Sequence, residues 1–240
     1  MRTHADQQAM VWLFDLDNTL HDSSRAMFNA IDTAMTHAVQ ESAGCDLQTA
    51  NALRLQYWKR YGATVIGMVR HHGVNAQDFL QRSHDFDIPS LIHAEPGVAR
   101  TLNRLPGRKI LLTNAPESYA RTVLDGLGLL PLFDNLWTMD QMALQGRLRP
   151  KPSLALMRQV LARSLVGPAQ LILVEDTLKN LRAAHQLGMR TVHFHHPGTP
   201  FSSALKGKPP WVDMRITSLR QLIRARFLWR IPDRPDRAGI

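Results

Sequence analysis

Two carboxylates stand one residue apart in "FDLDNTL", residues 14 to 20, directly behind the apolar run Val11, Trp12 and Leu13. Strand alternation would aim Asp15 and Asp17 to the same side, where such charges repel by roughly 4 kcal/mol at an effective dielectric near 20. A positive partner is expected beside them. Three further polar breaks share the layout. Thr113 and Asn114 follow "KILL", Glu175 and Asp176 follow "LILV", and Lys151 is pinned between Pro150 and Pro152, ahead of a helix beginning near Ser153. The chemistry this set suits is phosphoryl transfer through an aspartyl phosphate, with Asp15 as nucleophile. Asp17 would protonate the departing alkoxide and then deprotonate the water that breaks the intermediate. Mg²⁺, a hard ion that takes oxygen ligands, would be the positive partner, held by Asp15, the Asp17 backbone carbonyl and Asp176, with Glu175 as auxiliary ligand. Thr113 and the amide of Asn114 would hydrogen-bond the phosphoryl oxygens, and Lys151 would neutralise the charge spread over them.

These groups are far apart in the chain, so a fold must gather them. From residue 96 onward the patterns alternate: "KILLTN" as strand, 116 to 127 as helix, "NLWTM" as a short strand, 153 to 165 as helix, "LILVED" as strand, 177 to 187 as helix and "RTVHF" as strand. Such alternation predicts an α/β fold, a parallel sheet with helices on both faces, and these sheets bind ligands beyond the carboxyl ends of their strands. The stretch between the first strand and this series is different. Helical spacing runs through 22 to 40, 47 to 60, 63 to 72 and 76 to 84, no strand pattern precedes Ile92, and "AEPGV" closes the segment. Residues 21–95 are therefore expected to form an all-helical insert between two pieces of core, 1–20 and 96–205. After Phe194 a Pro/Gly/Ser-rich loop leads to a basic segment, 206–240, in which 217 to 229 carries one last helical pattern.

A chain of 240 residues, 44% of them hydrophobic, can bury a full core. No stretch reaches the roughly 20 uncharged apolar residues of a membrane span, and the start "MRTHADQQAM" lacks the layout of a secretory signal, so a cytoplasmic location is expected. The single Cys45 cannot form an internal disulfide, and a half-buried thiol is expected. The net charge of +9 raises the question of nucleic acid, but residues 206 to 237 hold nine basic and three acidic residues and so carry six of the nine charges. The rest is nearly balanced, and no specific nucleic-acid binding is expected. His193, His195 and His196 have no adjoining carboxylate or cysteine and are expected at the surface.

The motifs "DLDNT", "LLTNA", "RPKPS" and "LVEDTLKN", in this order over most of residues 11 to 196, closely resemble the haloacid-dehalogenase-like hydrolase superfamily. The resemblance implies a Rossmann-like, doubly wound parallel-sheet core with a small mobile helical cap after the first strand. It also places Asp17 at a fork, because dehalogenases proper lack an aspartate two residues after the nucleophile, whereas a phosphate ester needs a proton donor for its leaving group. A narrower resemblance, in "YWKRYGATVIGMVRHHGV", "HDFDIPSLI", "LPGRKILLTNA" and "EDTLKNLRAAHQLGM", is to the pyrimidine 5'-nucleotidase branch, which implies substrates such as UMP and CMP. In the insert, Tyr57 and Tyr61 could then stack on a base, Thr64 donate hydrogen bonds and His84 reach the ribose or phosphate. Ordinary helix packing accounts for these four equally well.

The expectation is thus a Mg²⁺-dependent phosphomonoesterase acting on a small phosphate ester, a nucleoside monophosphate first, as a monomer or homodimer. One alternative keeps the chemistry and changes the substrate, as in a sugar phosphatase or phosphomutase. Another, of a different class, is a binding or regulatory module that uses the basic tail.

Overall fold

The computed structural model describes residues 10–199 and 207–225. Strand β1, Val11–Phe14, is fully buried. Four helices follow it: α1 (Met27–Ala43), α2 (Leu47–Tyr61), α3 (Thr64–His72) and α4 (Ala76–Arg82). After them come α5 (Val98–Asn103), β2 (Arg108–Leu112), α6 (Glu117–Gly126), β3 (Asn135–Trp137), a minimal hairpin of β4 (Ala143–Leu144) and β5 (Arg147–Leu148), and α7 (Leu154–Ser164). The chain closes with β6 (Leu171–Glu175), α8 (Leu178–His185), β7 (Arg190–Phe194) and β8 (Met214–Ile216). Among the described residues, no helix is long and apolar enough to cross a membrane.

Six strands form one parallel sheet in the order β3-β2-β1-β6-β7-β8. The two-residue period of β1 divides the core into two layers. Trp12 and Phe14 pack with Leu111, Tyr119, Val123, Ile172 and Val174 on one face, while Val11 and Leu13 pack with Ile110, Leu112, Leu156, Val160, Leu171 and Leu173 on the other. β1 lies between β2 and β6, with Phe14 level with Leu111 and Val174. The chain leaves β1 toward β2 and β3 on one side and β6, β7 and β8 on the other. The crevice at this switch point opens beyond the carboxyl ends of the three central strands, where ligands bind in open α/β sheets.

The helices after β1 are built locally. Asp46 caps α2 by accepting from Thr49 N at 2.8 Å, and Asn75 caps α4 by accepting from the Gln77 and Asp78 amides. Gly67 lets α3 approach α2 closely, because a methyl group there would meet the Tyr57 ring at 2.1 Å.

Three features depart from the sequence expectation. β8 lies beyond residue 205, so the sheet continues into the segment read as a basic tail; with a charged residue at its centre, "MRI" carries almost no strand pattern. The pattern at 217 to 229 is realised as a 3₁₀ turn, Leu219–Arg224, which buries Leu219 and Leu222 in the core, while Phe227, Leu228 and Trp229 lie outside the described residues. His193 is not a surface histidine. It is 3% exposed, because β8 covers the edge of β7, and its Nε2 lies 3.2 Å from the Asp176 carbonyl. Burial and Arg215 bring the imidazole down to about 4.

Candidate active site

Strands β1 and β2 end in apolar residues and hand the chain to a polar one at the crevice, and β6 ends in Glu175 itself. The Asp15 amide still donates to the Val174 carbonyl at 3.0 Å, and the Thr113 amide to the Trp137 carbonyl at 2.9 Å, so both residues are held by the sheet just past its last rungs. Lys151 comes from the loop before α7. Asn114 clamps that loop, with its Nδ2 donating to the Lys151 carbonyl at 3.1 Å and its Oδ1 accepting from the Lys151 amide at 2.9 Å. A positive side chain, which the sequence reading assigned to the phosphoryl oxygens, lies beside Asp15. Lys151 Nζ donates to Asp15 Oδ1 at 2.6 Å and to Glu175 Oε2 at 2.7 Å, all three groups being buried.

This cluster is unbalanced. Carboxylate oxygens of Asp15, Glu175 and Asp176 lie within 4.8 Å of one another, against the one ammonium of Lys151 among the described residues. Burial, then repulsion from Glu175, holds the Asp15 carboxyl well above its usual range despite Lys151. Burial and neighbouring acids raise Glu175 as well, and Asp176 is pushed up to about 6 by burial and the charge of Asp15. The Lys151 ammonium is held charged, because the pull of Asp15 and Glu175 outweighs its burial. Three hard oxygen donors with surplus negative charge are the donor chemistry of a divalent cation such as Mg²⁺. The donor set therefore fits such an ion.

Asp17 has a different environment. Its Oδ1 accepts from Tyr119 Oη at 2.6 Å, Ser23 Oγ at 2.7 Å and His21 Nε2 at 3.0 Å. Burial alone would raise this carboxyl, but the hydrogen bonds and the His21 imidazole bring it below its usual value. Two acids two residues apart are thus driven in opposite directions.

A model of the haloacid dehalogenase-like hydrolases matches residues 12–194, from the first sheet strand through β7. The chain belongs to this family. Among haloacid dehalogenase-like hydrolases and their relatives, phosphoglycolate phosphatase 1 of Pseudomonas aeruginosa is 26% identical, the match covering 74% of this chain and 66% of that protein. The chain therefore spans just under two thirds of that relative's length. Phosphoglycolate phosphatase of Pseudomonas syringae is 28% identical, covering 88% of this chain and 77% of that protein. The fold is shared with a haloacid dehalogenase-like phosphatase from Thermococcus onnurineus, at a TM-score of 0.62 and 19% identity over 90% of this chain and 96% of that one.

The structure of this haloacid dehalogenase-like hydrolase brings Asp15, Asp17, Thr113, Asn114, Lys151, Glu175 and Asp176 to one sheet edge. The insert residues fare differently. Tyr57 is 7% exposed, stacked on His71 at 5.4 Å and bonded to His72 Nε2 at 2.9 Å, so it is no free platform for a base. The Thr64 hydroxyl donates to the Arg54 carbonyl at 3.0 Å and is spent on packing. His84 lies close to Asp17: its Nδ1 is 3.0 Å from both the Leu80 carbonyl and Ser83 Oγ, and its ring meets Tyr119 edge-on at 5.2 Å. Tyr61 is half-buried, with Arg70 and Arg60 over its ring at 5.0 and 5.4 Å, one residue before a turn at which a Gly62 methyl group would lie 3.9 Å from the Lys151 carbonyl. Sequence reasoning missed His21, Ser23 and Tyr119 around Asp17, and Thr199, whose hydroxyl donates to Asp176 Oδ2. The available signal was Tyr119 itself, a hydroxyl on the apolar stripe of α6.

Proposed function

We propose that this chain is a Mg²⁺-dependent phosphomonoesterase working through a phosphoryl group carried on Asp15. The observation that supports this most is the divergence of the two aspartates: Asp15 beside Lys151 and two further acids, and Asp17 in a separate hydrogen-bonding nest. An Asp15 oxygen attacks phosphorus as the ester P–O bond breaks, and Asp17 delivers a proton to the departing alkoxide. Asp17 must take up that proton first, which a phosphate dianion placed beside it favours. Water then gives a proton back to Asp17 and attacks phosphorus, freeing inorganic phosphate and restoring the Asp15 carboxylate. Lys151 holds Asp15 in place and offsets charge on the phosphoryl oxygens, and Thr113 and the Asn114 amide orient them. Asp15, Asp176, Glu175 and the Asp17 carbonyl would hold Mg²⁺, which when bound neutralises charge on the phosphoryl group. Helices α1 to α4 serve as the cap that covers the crevice and selects the substrate.

The substrate we propose is a pyrimidine nucleoside 5'-monophosphate. Its support is the resemblance in residues 57 to 74, together with Tyr61 and its two guanidinium neighbours beside the Lys151 loop, since planar aromatic and guanidinium groups stack on bases. The names of the two Pseudomonas relatives favour a second reading, a small carboxylated phosphate ester. Phosphate release from UMP, CMP, AMP, 2-phosphoglycolate and ribose 5-phosphate separates them. Fastest turnover of UMP or CMP upholds the first reading, and preference for 2-phosphoglycolate replaces it with the second.

A further inference from the structure

Three donors converge on one oxygen of Asp17, and they are not equivalent. His21 and Ser23 are four and six residues along the same loop and travel with it. Tyr119 is 102 residues away on α6, just beyond Thr113 and Asn114, so its bond ties the Asp17 loop to the strand end that would hold the phosphoryl group. The phenol is itself fixed. Tyr119 is fully buried, its ring packs in the core beside Val123 and Leu124, and His84 and Phe86 lie against it at 5.2 and 6.4 Å. All three bonds fall on Oδ1, none of them on Oδ2, and the Asp17 side chain keeps 23% of its surface exposed.

We propose that Tyr119 is a positioning residue for Asp17, anchoring Oδ1 to the core so that Oδ2 faces the ester. The inference rests on the proposed acid and base role of Asp17. When the ester P–O bond breaks, the proton on Oδ2 passes to the leaving oxygen; when water attacks the phosphoryl group on Asp15, Oδ2 takes a proton from that water. Tyr119 keeps its own proton throughout and takes part in no bond that forms or breaks. What it supplies is direction, since a carboxylate held at one oxygen has lost the rotation that would turn the other away.

Tyr119→Phe removes one oxygen atom and keeps the buried shape. We would compare kcat/KM, which reports on breakage of the ester bond, for an alkyl ester (UMP or ribose 5-phosphate) and for p-nitrophenyl phosphate, whose aryl oxide leaves with little help from an acid. The expected result is a loss of about tenfold for the alkyl ester and less than about threefold for the aryl ester. In an Asp17→Asn background, Tyr119→Phe should change the alkyl-ester rate by less than about twofold, because the group it positions is already gone. Equal losses on both esters, no loss on either, or the same factor in both backgrounds would overturn the proposal. Asp17→Asn alone provides the separation. If it slows both esters equally, the acid role of Asp17 fails; if it discriminates between them and Tyr119→Phe does not, only the role of Tyr119 fails.

Discussion

Replacing Lys151 with Met tests the balance of charge at the sheet edge. The ammonium lies 2.6 Å from one carboxylate oxygen and 2.7 Å from another. At an effective dielectric near 20 each contact is worth about 6 kcal/mol before the cost of desolvation. That cost offsets most of the gain, so the expected net effect is the one found when a single partner leaves a buried ion pair, about 3 to 5 kcal/mol of lost stability. For a chain of this size that lowers Tm by about 6 to 20 °C. The loss should depend on pH, and in a defined direction. Asp15, Glu175 and Asp176 all have folded carboxyls above their ordinary values, so each contributes stability that is full below the unfolded value of about 4 and is lost as pH rises through the folded value. For Asp176, pushed up to about 6, that window is roughly pH 4 to 6. Without Lys151 the pull that lowers Asp15 and Glu175 is lost, and Glu175 keeps the Thr177 amide at 3.0 Å from its Oε1. Urea denaturation in EDTA should therefore show a gap between wild type and Lys151→Met that is wide at pH 8 and narrow at pH 5. A gap of the same size at both pH values would refute the charge reasoning and leave only lost packing.

The same site yields three shorter predictions. Mg²⁺ should raise Tm of the wild type, and should raise it more in Lys151→Met, where the ammonium that faces Asp15 and Glu175 is gone; a thermal melt with and without EDTA checks this, and equal shifts count against the donor set. Asp15→Asn should abolish phosphate release while leaving Tm within a few degrees or higher, because it removes one of three mutually repelling acids; retained turnover excludes Asp15 as nucleophile. Gly67→Ala should destabilise by about 1 to 3 kcal/mol through the clash with the Tyr57 ring, despite the better helix propensity of alanine, and a rise in Tm would show that α2 and α3 can separate at no cost.

The sheet and its edge were legible for one physical reason. Runs such as VWLF, KILL and LILV are long enough to be buried on both faces, and a polar residue at the end of such a run has nowhere to go except the crevice. The hairpin β4–β5, with two residues per strand, and β8, with a charged centre, fall below that signal. Side-chain partnerships are harder still. Tyr57 and Thr64 lie in helices the periodicity predicts, but their partners His72, His71 and Arg54 depend on how α2 and α3 meet, which periodicity does not encode. The case of Tyr119 is similar. One apolar stripe accounts for the residue, and only the folded chain shows its hydroxyl reaching Asp17.

The central place of β1 has a consequence during synthesis. Its partners on either side, beginning at Arg108 and Leu171, are translated long after it. At ordinary elongation rates the second neighbour emerges on the order of ten to thirty seconds later. Until then the edge of β1 that will meet β6 has no neighbour, so chains truncated before Leu171 should expose apolar backbone and aggregate.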